Sequence, residues 1–397
     1  MTMLKMTDLN LKDKRVLIRE DLNVPLKHNV IMSDIRIKAA IPTIKAALKA
    51  GAKVMIMSHL GRPTEGTFEE QFSLAPIATR LSELLNREVP LIQNWLKHFN
   101  MGNHDVVLLE NVRFNNGEID NEIGLSKKMA AMCDVFVMDA FATSHRAEAS
   151  TCGIIQYARI ACAGPLLISE LQALTSLMEK PKKPVVAIVG GSKVSTKLSL
   201  LESLTKKVDY LVIGGGIANT FIAAEGYTVG KSLYEPDLID EAERLTTTAK
   251  SRGAEIVVPT DVVIAEKLSD HSESSVRLIS QVDDNEKIYD LGPDTIQKIC
   301  GIIKKAKTIL WNGPVGAFEI KQFSEGTEAI ARAIADSSGF SIAGGGDTLA
   351  AIEAYKIADK IDYISTGGGA FLSFLEGKPL PAITALEEHA AKGEKVL

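Results

Sequence analysis

Short runs rich in Val and Ile alternate with amphipathic stretches from one end of the chain to the other, and few patterns narrow a fold so far. A buried strand followed by a helix-period segment, repeated, marks βαβ units in which helices cover both faces of a parallel sheet. At 397 residues the chain exceeds the size at which one hydrophobic core stops growing, so the alternation divides between two domains. In the first half strands are expected at 16–19, 54–58, 106–110 and 135–139, with a helix between the first two. Ser33 and Asp34 cap that helix, and Ile37, Ile41, Ile44 and Leu48 lie along one of its faces. In the second half strands are expected at 185–189, 210–213, 255–258, 308–311, 341–343 and 363–365.

A helical stretch at 169–179, stopped by Pro181 and Pro184, reads as a connector, and Pro379 and Pro381 bracket a second break before a short helix at 382–392. The expected fold class is α/β: two doubly wound parallel-sheet, Rossmann-like domains joined by a helix, with a cleft between them. The expected domains are residues 1–170 with 380–397, and residues 171–379.

Lys and Arg total 45 against 50 for Asp and Glu, a net charge of −5, which leaves no broad basic footprint for nucleic acid or anionic lipid. The arginines are unevenly spread. Nine of the thirteen precede residue 170, and the guanidinium fork is the group best suited to gripping phosphate or carboxylate. Cys133, Cys152, Cys162 and Cys300 form no CxxC pair and His145 has no HExxH context, so zinc and disulfide frameworks lack support. Residues 1–14 lack the apolar centre of an export signal, and no run of about 18 apolar residues occurs. The reducing cytoplasm is the expected compartment, with no membrane span.

Four times in the second half a strand runs into glycines and then a helix: AIVGGSKVS, LVIGGGIAN, SIAGGGDTL and ISTGGGAFL. At the carboxyl end of a parallel strand, backbone without side chains lets a phosphate approach the amides and positive dipole of the next helix. One such turn is commonly just a tight turn; four together point to a phosphate-bearing ligand. The familiar cradles do not match. GYTVGKS at 226–232 has three residues between its glycines where a Walker A loop has four, and no apolar strand precedes it, so it reads as a surface loop. GxGxxG fails at each glycine triplet, because Asn219, Leu349 and Leu372 stand where the last glycine or alanine belongs. Asp347 sits at the mouth of one turn, where it serves either a Mg²⁺-bound phosphate or a plain helix N-cap. Lys193 and Lys197, four apart, are expected on one helical face, directed at one anion or simply solvated.

In the first half, REDLNVP puts Asp21 and Asn23 just past a strand, where residues reach a ligand in an open α/β sheet or merely form a polar turn. Arg36 in SDIRI, His59 and Arg62 in SHLGRP, Arg113 in ENVRF, and His145 and Arg146 in ATSHRAE follow. A single arginine at a strand end is commonly a surface ion pair. Several at one sheet edge imply a small substrate bearing several negative charges.

Taken in order, RxDxNVP (19–25), DxRI (34–37), SHLGRP (58–63), ENVRF (110–114), DAFxTxHR (139–146), VGGSKVSTK (189–197), GGGIANTF (214–221), WNGPVGAFE (311–319), GGGDT (344–348) and STGGGAF (365–371) resemble the phosphoglycerate kinase family across essentially the whole chain. The resemblance implies reversible phosphoryl transfer from 1,3-bisphosphoglycerate to ADP, giving 3-phosphoglycerate and ATP, with Mg²⁺ and by a monomer. It implies a glycerate site at Asp21, Asn23, Arg36, His59, Arg62, Arg113 and Arg146. It implies a nucleotide site at Gly190, Gly191, Lys197, Gly214, Gly215, Asn312, Glu319, Gly345, Gly346, Asp347 and Thr348, with Asp347 towards the metal. Arg36, Lys193 and Lys197 are the catalytic candidates, and the last segment is expected to return to the first domain. Glu20 and Leu22 depart from the family's Val and Phe, Ala142 and Ser144 from Gly and Ala, Ser192 from Ala, and Ser373 from a frequent Glu; all read as positions flanking the ligand residues. An NAD-dependent dehydrogenase, the alternative enzyme, lacks its GxGxxG, and a non-catalytic anion-binding scaffold is the third reading.

Overall fold

The computed structural model describes residues 3–97 and 99–393. Contacts divide the chain into a first unit that runs to Gln172 and resumes at Pro379, and a second unit of Ala173–Lys378. The first crossing falls inside the helix Pro165–Glu179, and the second just before the helix Pro381–Gly393.

In the first unit β1 (Arg15–Arg19) is followed by a small hairpin, β2 (Leu26–Lys27) with β3 (Val30–Ile31), and then by β4 (Lys53–Met57), β5 (Leu91–Ile92), β6 (Val106–Leu109), β7 (Val135–Met138) and β8 (Ala161–Ala163). Six of these form a parallel sheet in the order β5-β6-β4-β1-β7-β8. Strands β6 and β7 are buried at every residue, and β1 and β4 at all but the first, as a parallel sheet covered on both faces requires. The helix Ile35–Lys49 contributes Ile37, Ile41 and Ile44 to the core. Asp34 occupies its N-cap position, but its carboxylate pairs with Lys38 at 2.9 Å and Arg80 at 2.7 Å instead of capping the helix amides.

The second unit repeats the plan with β9 (Val185–Gly190), β10 (Tyr210–Gly214), β11 (Glu255–Val257), β12 (Asp261–Ala265), β13 (Ser274–Leu278), β14 (Lys287–Leu291), β15 (Thr308–Asn312), β16 (Phe340–Gly344) and β17 (Tyr363–Ser365). Its parallel sheet has the order β11-β10-β9-β15-β16-β17, and β13-β12-β14 form a separate antiparallel sheet. Every expected strand is present, within about two residues at either end. Strands β5 and β8, the hairpin and the antiparallel sheet were not expected. β13 (SSVRL) is exposed at alternate residues, and β5 and β8 are too short to register as apolar runs.

Candidate functional site

In each sheet the chain leaves the first strand in one direction and later returns to its other side. This places a switch point between β1 and β7 in the first unit and between β9 and β15 in the second, where open α/β sheets take ligands. In the first unit Arg19 pairs with Met57 on one side and Met138 on the other, so the loops after β1, β4 and β7 leave the sheet at one level.

Burial alternates along the first of those loops. Glu20, Leu22 and Val24 are buried, while Asp21 and Asn23 are half-buried and share a face. Arg36 closes that face, with Nη1 2.9 Å from Asp21 Oδ2 and donating at 2.9 Å to the Asn23 carbonyl. Asn23 Oδ1 accepts from the Gly61 amide at 2.9 Å, tying the first loop to the second. His59 is buried, its Nδ1 3.2 Å from Arg19 Nη2. Burial, then the charges of Arg19, Arg113, Arg146 and Arg36, hold its pKa well below the usual histidine value. Arg113 donates to the Gly61 carbonyl and to Glu148 Oε1, both at 2.7 Å, and Arg146 lies 3.8 Å from that same oxygen. The expected glycerate residues therefore gather at one sheet edge. Arg62 is exposed beside them, with no ion pair among the described residues. The concentration of guanidinium groups at this edge favours an anion.

Glu20 flanks Asp21 but turns into the core. It is fully buried, and burial followed by the nearby Asp139 carboxylate raises its pKa well above the usual carboxylate range. Asp139 itself accepts from the Leu167 amide at 2.9 Å and so caps the helix Pro165–Glu179.

In the second unit Lys197 Nζ lies over the switch point. It donates to the Gly190 carbonyl at 2.6 Å, the Asn312 carbonyl at 3.2 Å and Asn312 Oδ1 at 2.8 Å, which occupies all three ammonium protons. Burial lowers its pKa to about 8 against the opposing pull of Asp347. Asn312 Nδ2 donates to the Gly344 carbonyl at 2.7 Å, while Thr348 Oγ1 accepts from the Gly313 amide at 2.7 Å and donates to Gly344 at 3.0 Å. The loops after β9, β15 and β16 are thus laced together.

Most of the glycines serve that lacing. A Cβ on Gly190 would strike the Pro314 carbonyl, one on Gly214 would strike Val315, and one on Gly215, at φ +66°, would meet the Gly191 carbonyl. Gly346 differs: nothing lies within 4 Å of where its Cβ would be, and it opens the helix Gly346–Tyr355, whose first amides lack helical acceptors. Beside these turns is a cavity of about 750 Å³, lined by Gly191, Gly215, Asn219, Lys231, Tyr289 and Asp347 among others. Glu319 is exposed, two residues beyond Ala317, which lines the cavity.

Two expectations are corrected here. The chain bends at Val194 and turns over 195–197, and the helix Leu198–Thr205 begins only afterwards, so Lys193 and Lys197 do not share a helical face. Lys193 is exposed and acts electrostatically on Glu235, while Lys197 alone bonds the three acceptors at the switch point. The 226–232 loop is more than surface: Lys231 and Ser232 line the cavity, and Ser232 Oγ accepts from the Ile288 amide of β14 at 2.8 Å. Sequence reasoning also passed over Arg19, Glu148, Lys287 and Tyr289. The last two lie in β14 (KIYDL), whose sequence and burial do not alternate, so they carried no clear signal.

Among the described residues no group of three His, Cys, Asp or Glu side chains could hold a metal ion, and no helix is long and apolar enough to cross a membrane. The phosphoglycerate kinase family model matches residues 6–378. A phosphoglycerate kinase of Nitratidesulfovibrio vulgaris is 56% identical over 393 residues, covering 99% of this chain and 100% of that protein. The solved phosphoglycerate kinase of Coxiella burnetii superposes with a TM-score of 0.94 at 54% identity, over 98% of this chain and 100% of that one. That of Pyrococcus horikoshii OT3 gives 0.82 at 33% identity, again over 98% and 100%.

Proposed function

The chain belongs to the phosphoglycerate kinase family, and on that footing we propose that its two units divide the ligands of the reaction between them. The reaction is the reversible transfer of a phosphoryl group from 1,3-bisphosphoglycerate to ADP, giving 3-phosphoglycerate and ATP. The dehydrogenase and scaffold alternatives fall with the family assignment. Asp21, Asn23, Arg36, His59, Arg62, Arg113 and Arg146 hold the glycerate ligand. Gly346, Asp347 and the cavity beside them hold the nucleotide, with Lys197 at the transferring group. The observation that carries this division is the placement of Lys197 over the β9/β15 switch point, in a different unit from the arginine-rich edge at β1/β7.

Both candidate nucleophiles, a β-phosphate oxygen of ADP and the carboxylate of 3-phosphoglycerate, are ionised at neutral pH, so no general base is needed. What the transfer needs is alignment and positive charge around the equatorial oxygens. Arg36 supplies charge from the glycerate side. Lys197 supplies it from the nucleotide side, exchanging a backbone acceptor for a phosphoryl oxygen. With a single acidic residue at the Gly346 turn, the donor set fits a Mg²⁺ that is carried mainly by nucleotide phosphates and touched by Asp347, not one caged by protein. When bound, the metal neutralises phosphate charge. Reacting atoms must approach to about 3 to 3.5 Å with water excluded, so the units close once both ligands are bound. The four cysteines are free thiols, in keeping with a reducing cytoplasm, and we assign a monomer.

Calorimetric titration tests the division. Arg62→Ala should weaken 3-phosphoglycerate and spare MgADP, and Lys197→Ala should do the reverse; swapped phenotypes refute it.

A further inference from the structure

We propose that Arg19 is a positioning residue that fixes the His59 ring as its neutral Nε2–H tautomer, so that a glycerate oxygen meets a directed, uncharged donor set among the arginines. The proposal rests on the reading above that His59 faces the glycerate ligand. Arginine has no acceptor, so in the 3.2 Å contact between Arg19 Nη2 and His59 Nδ1 the guanidinium donates and Nδ1 accepts. The ring proton is then on Nε2, which has no partner among the described residues. Arg19 cannot swing away. It is fully buried, Nε donates to Ser150 Oγ at 2.9 Å, and Nη1 donates to the Glu20 carbonyl at 2.6 Å. Ser150 is held in turn by Glu118, through the Ser150 amide at 2.9 Å and through its hydroxyl.

The surroundings keep the ring uncharged. Burial removes the solvent that would stabilise another cation, and the charges of Arg19, Arg113, Arg146 and Arg36 act on His59 in the same direction. A neutral Nε2–H adds a directional hydrogen bond to an anion's oxygen without adding repulsion among four guanidinium groups. The tautomer decides whether that bond exists. With the proton on Nδ1, Nε2 would present a lone pair to the ligand and repel it.

The test is long-range proton–nitrogen NMR on the intact protein with ¹⁵N-histidine, one of seven histidines being assigned to His59 by its loss in His59→Gln. The expected spectrum is neutral and Nε2-protonated at neutral pH, and it stays so as the pH falls through the range in which an ordinary histidine becomes charged. An Nδ1–H tautomer, or an imidazolium at neutral pH, overturns the proposal. Arg19→Lys keeps a donor within reach and should keep the tautomer, with the 3-phosphoglycerate Kd within about threefold of the parent. Arg19→Met should mix the tautomers and raise that Kd about tenfold, the worth of one hydrogen bond, with MgADP binding unchanged. Mixed tautomers with an unaltered Kd would also overturn it. If Arg19→Met does not fold, the parent and Arg19→Lys spectra decide. A parent with the expected tautomer whose His59→Gln variant binds 3-phosphoglycerate normally would refute the ligand assignment of His59 and, with it, the positioning role.

Discussion

Nucleotide binding should draw a proton into the second unit, and Lys197 sets how much. With its pKa lowered by burial to about 8, half of the Lys197 side chains are uncharged at pH 8. A phosphate brought to Nζ favours the ammonium form and pushes the pKa back up, so MgADP binding at pH 8 should take up about half a proton. The assay is calorimetry at pH 8 in two buffers of different ionisation enthalpy, the slope of apparent against buffer enthalpy giving the protons taken up. At about pH 6 the lysine is already charged and its uptake should vanish, as it should at pH 8 in Lys197→Met. No uptake at pH 8, or uptake that survives in Lys197→Met, would refute the reasoning. The same depression acts on stability with a definite sign. Between about 8 and the ordinary 10.5, the unfolded chain binds more protons at this lysine than the folded one, so its contribution to stability rises with pH across that window.

Further outcomes follow from other residues. Arg36→Ala should lower kcat about a hundredfold or more while moving KM far less, as expected for a charge used mainly in the transition state; a kcat within threefold of the parent removes that role. Asn312→Ala takes an acceptor from Lys197 and a donor from the buried Gly344 carbonyl, so urea denaturation should show a loss of about 2 kcal/mol. Burial pushes Asp290 up to about 7, so the folded state holds a proton there that the unfolded state has released, and this contribution is lost as pH rises from about 4 to 7. Asp290→Asn should flatten that slope in pH-dependent denaturation, and an unchanged slope counts against it. Small-angle scattering should show the radius of gyration falling with 3-phosphoglycerate plus a non-hydrolysable MgATP analogue, and changing less with either alone. An unchanged radius at saturation removes closure.

The parallel sheets were legible because fully buried strands such as VVLL and VFVM carry their environment in their composition. Several arginines of the first unit were legible for a related reason: Arg62, Arg113 and Arg146 come in the loops after β4, β6 and β7, and the level register of that sheet turns sequence order into proximity. Lys193 misled because helical spacing was applied to a segment that is a turn, so a four-residue separation placed two ammonium groups together that the backbone keeps apart. The glycines carry a second role that the sequence does not separate from the first. Their need for space is real at Gly190, Gly214 and Gly215, but the neighbour that needs it is another loop. Glu20 shows a further limit, since nothing in REDLNVP tells that its glutamate faces a buried aspartate 119 residues later. Arg19 was hidden likewise, an arginine inside a strand whose partners, His59 and Ser150, come from distant loops.

The central claim, that two anion-reading edges in separate units serve one phosphoryl transfer, is tested most directly by the initial rate with 3-phosphoglycerate and MgATP. Formation of the acyl phosphate is read through NADH oxidation by added glyceraldehyde-3-phosphate dehydrogenase. Turnover should need both ligands and be lost when either is omitted, with no ATP hydrolysis in the absence of 3-phosphoglycerate. No NADH oxidation with both present, or ATP hydrolysis independent of 3-phosphoglycerate, would contradict it.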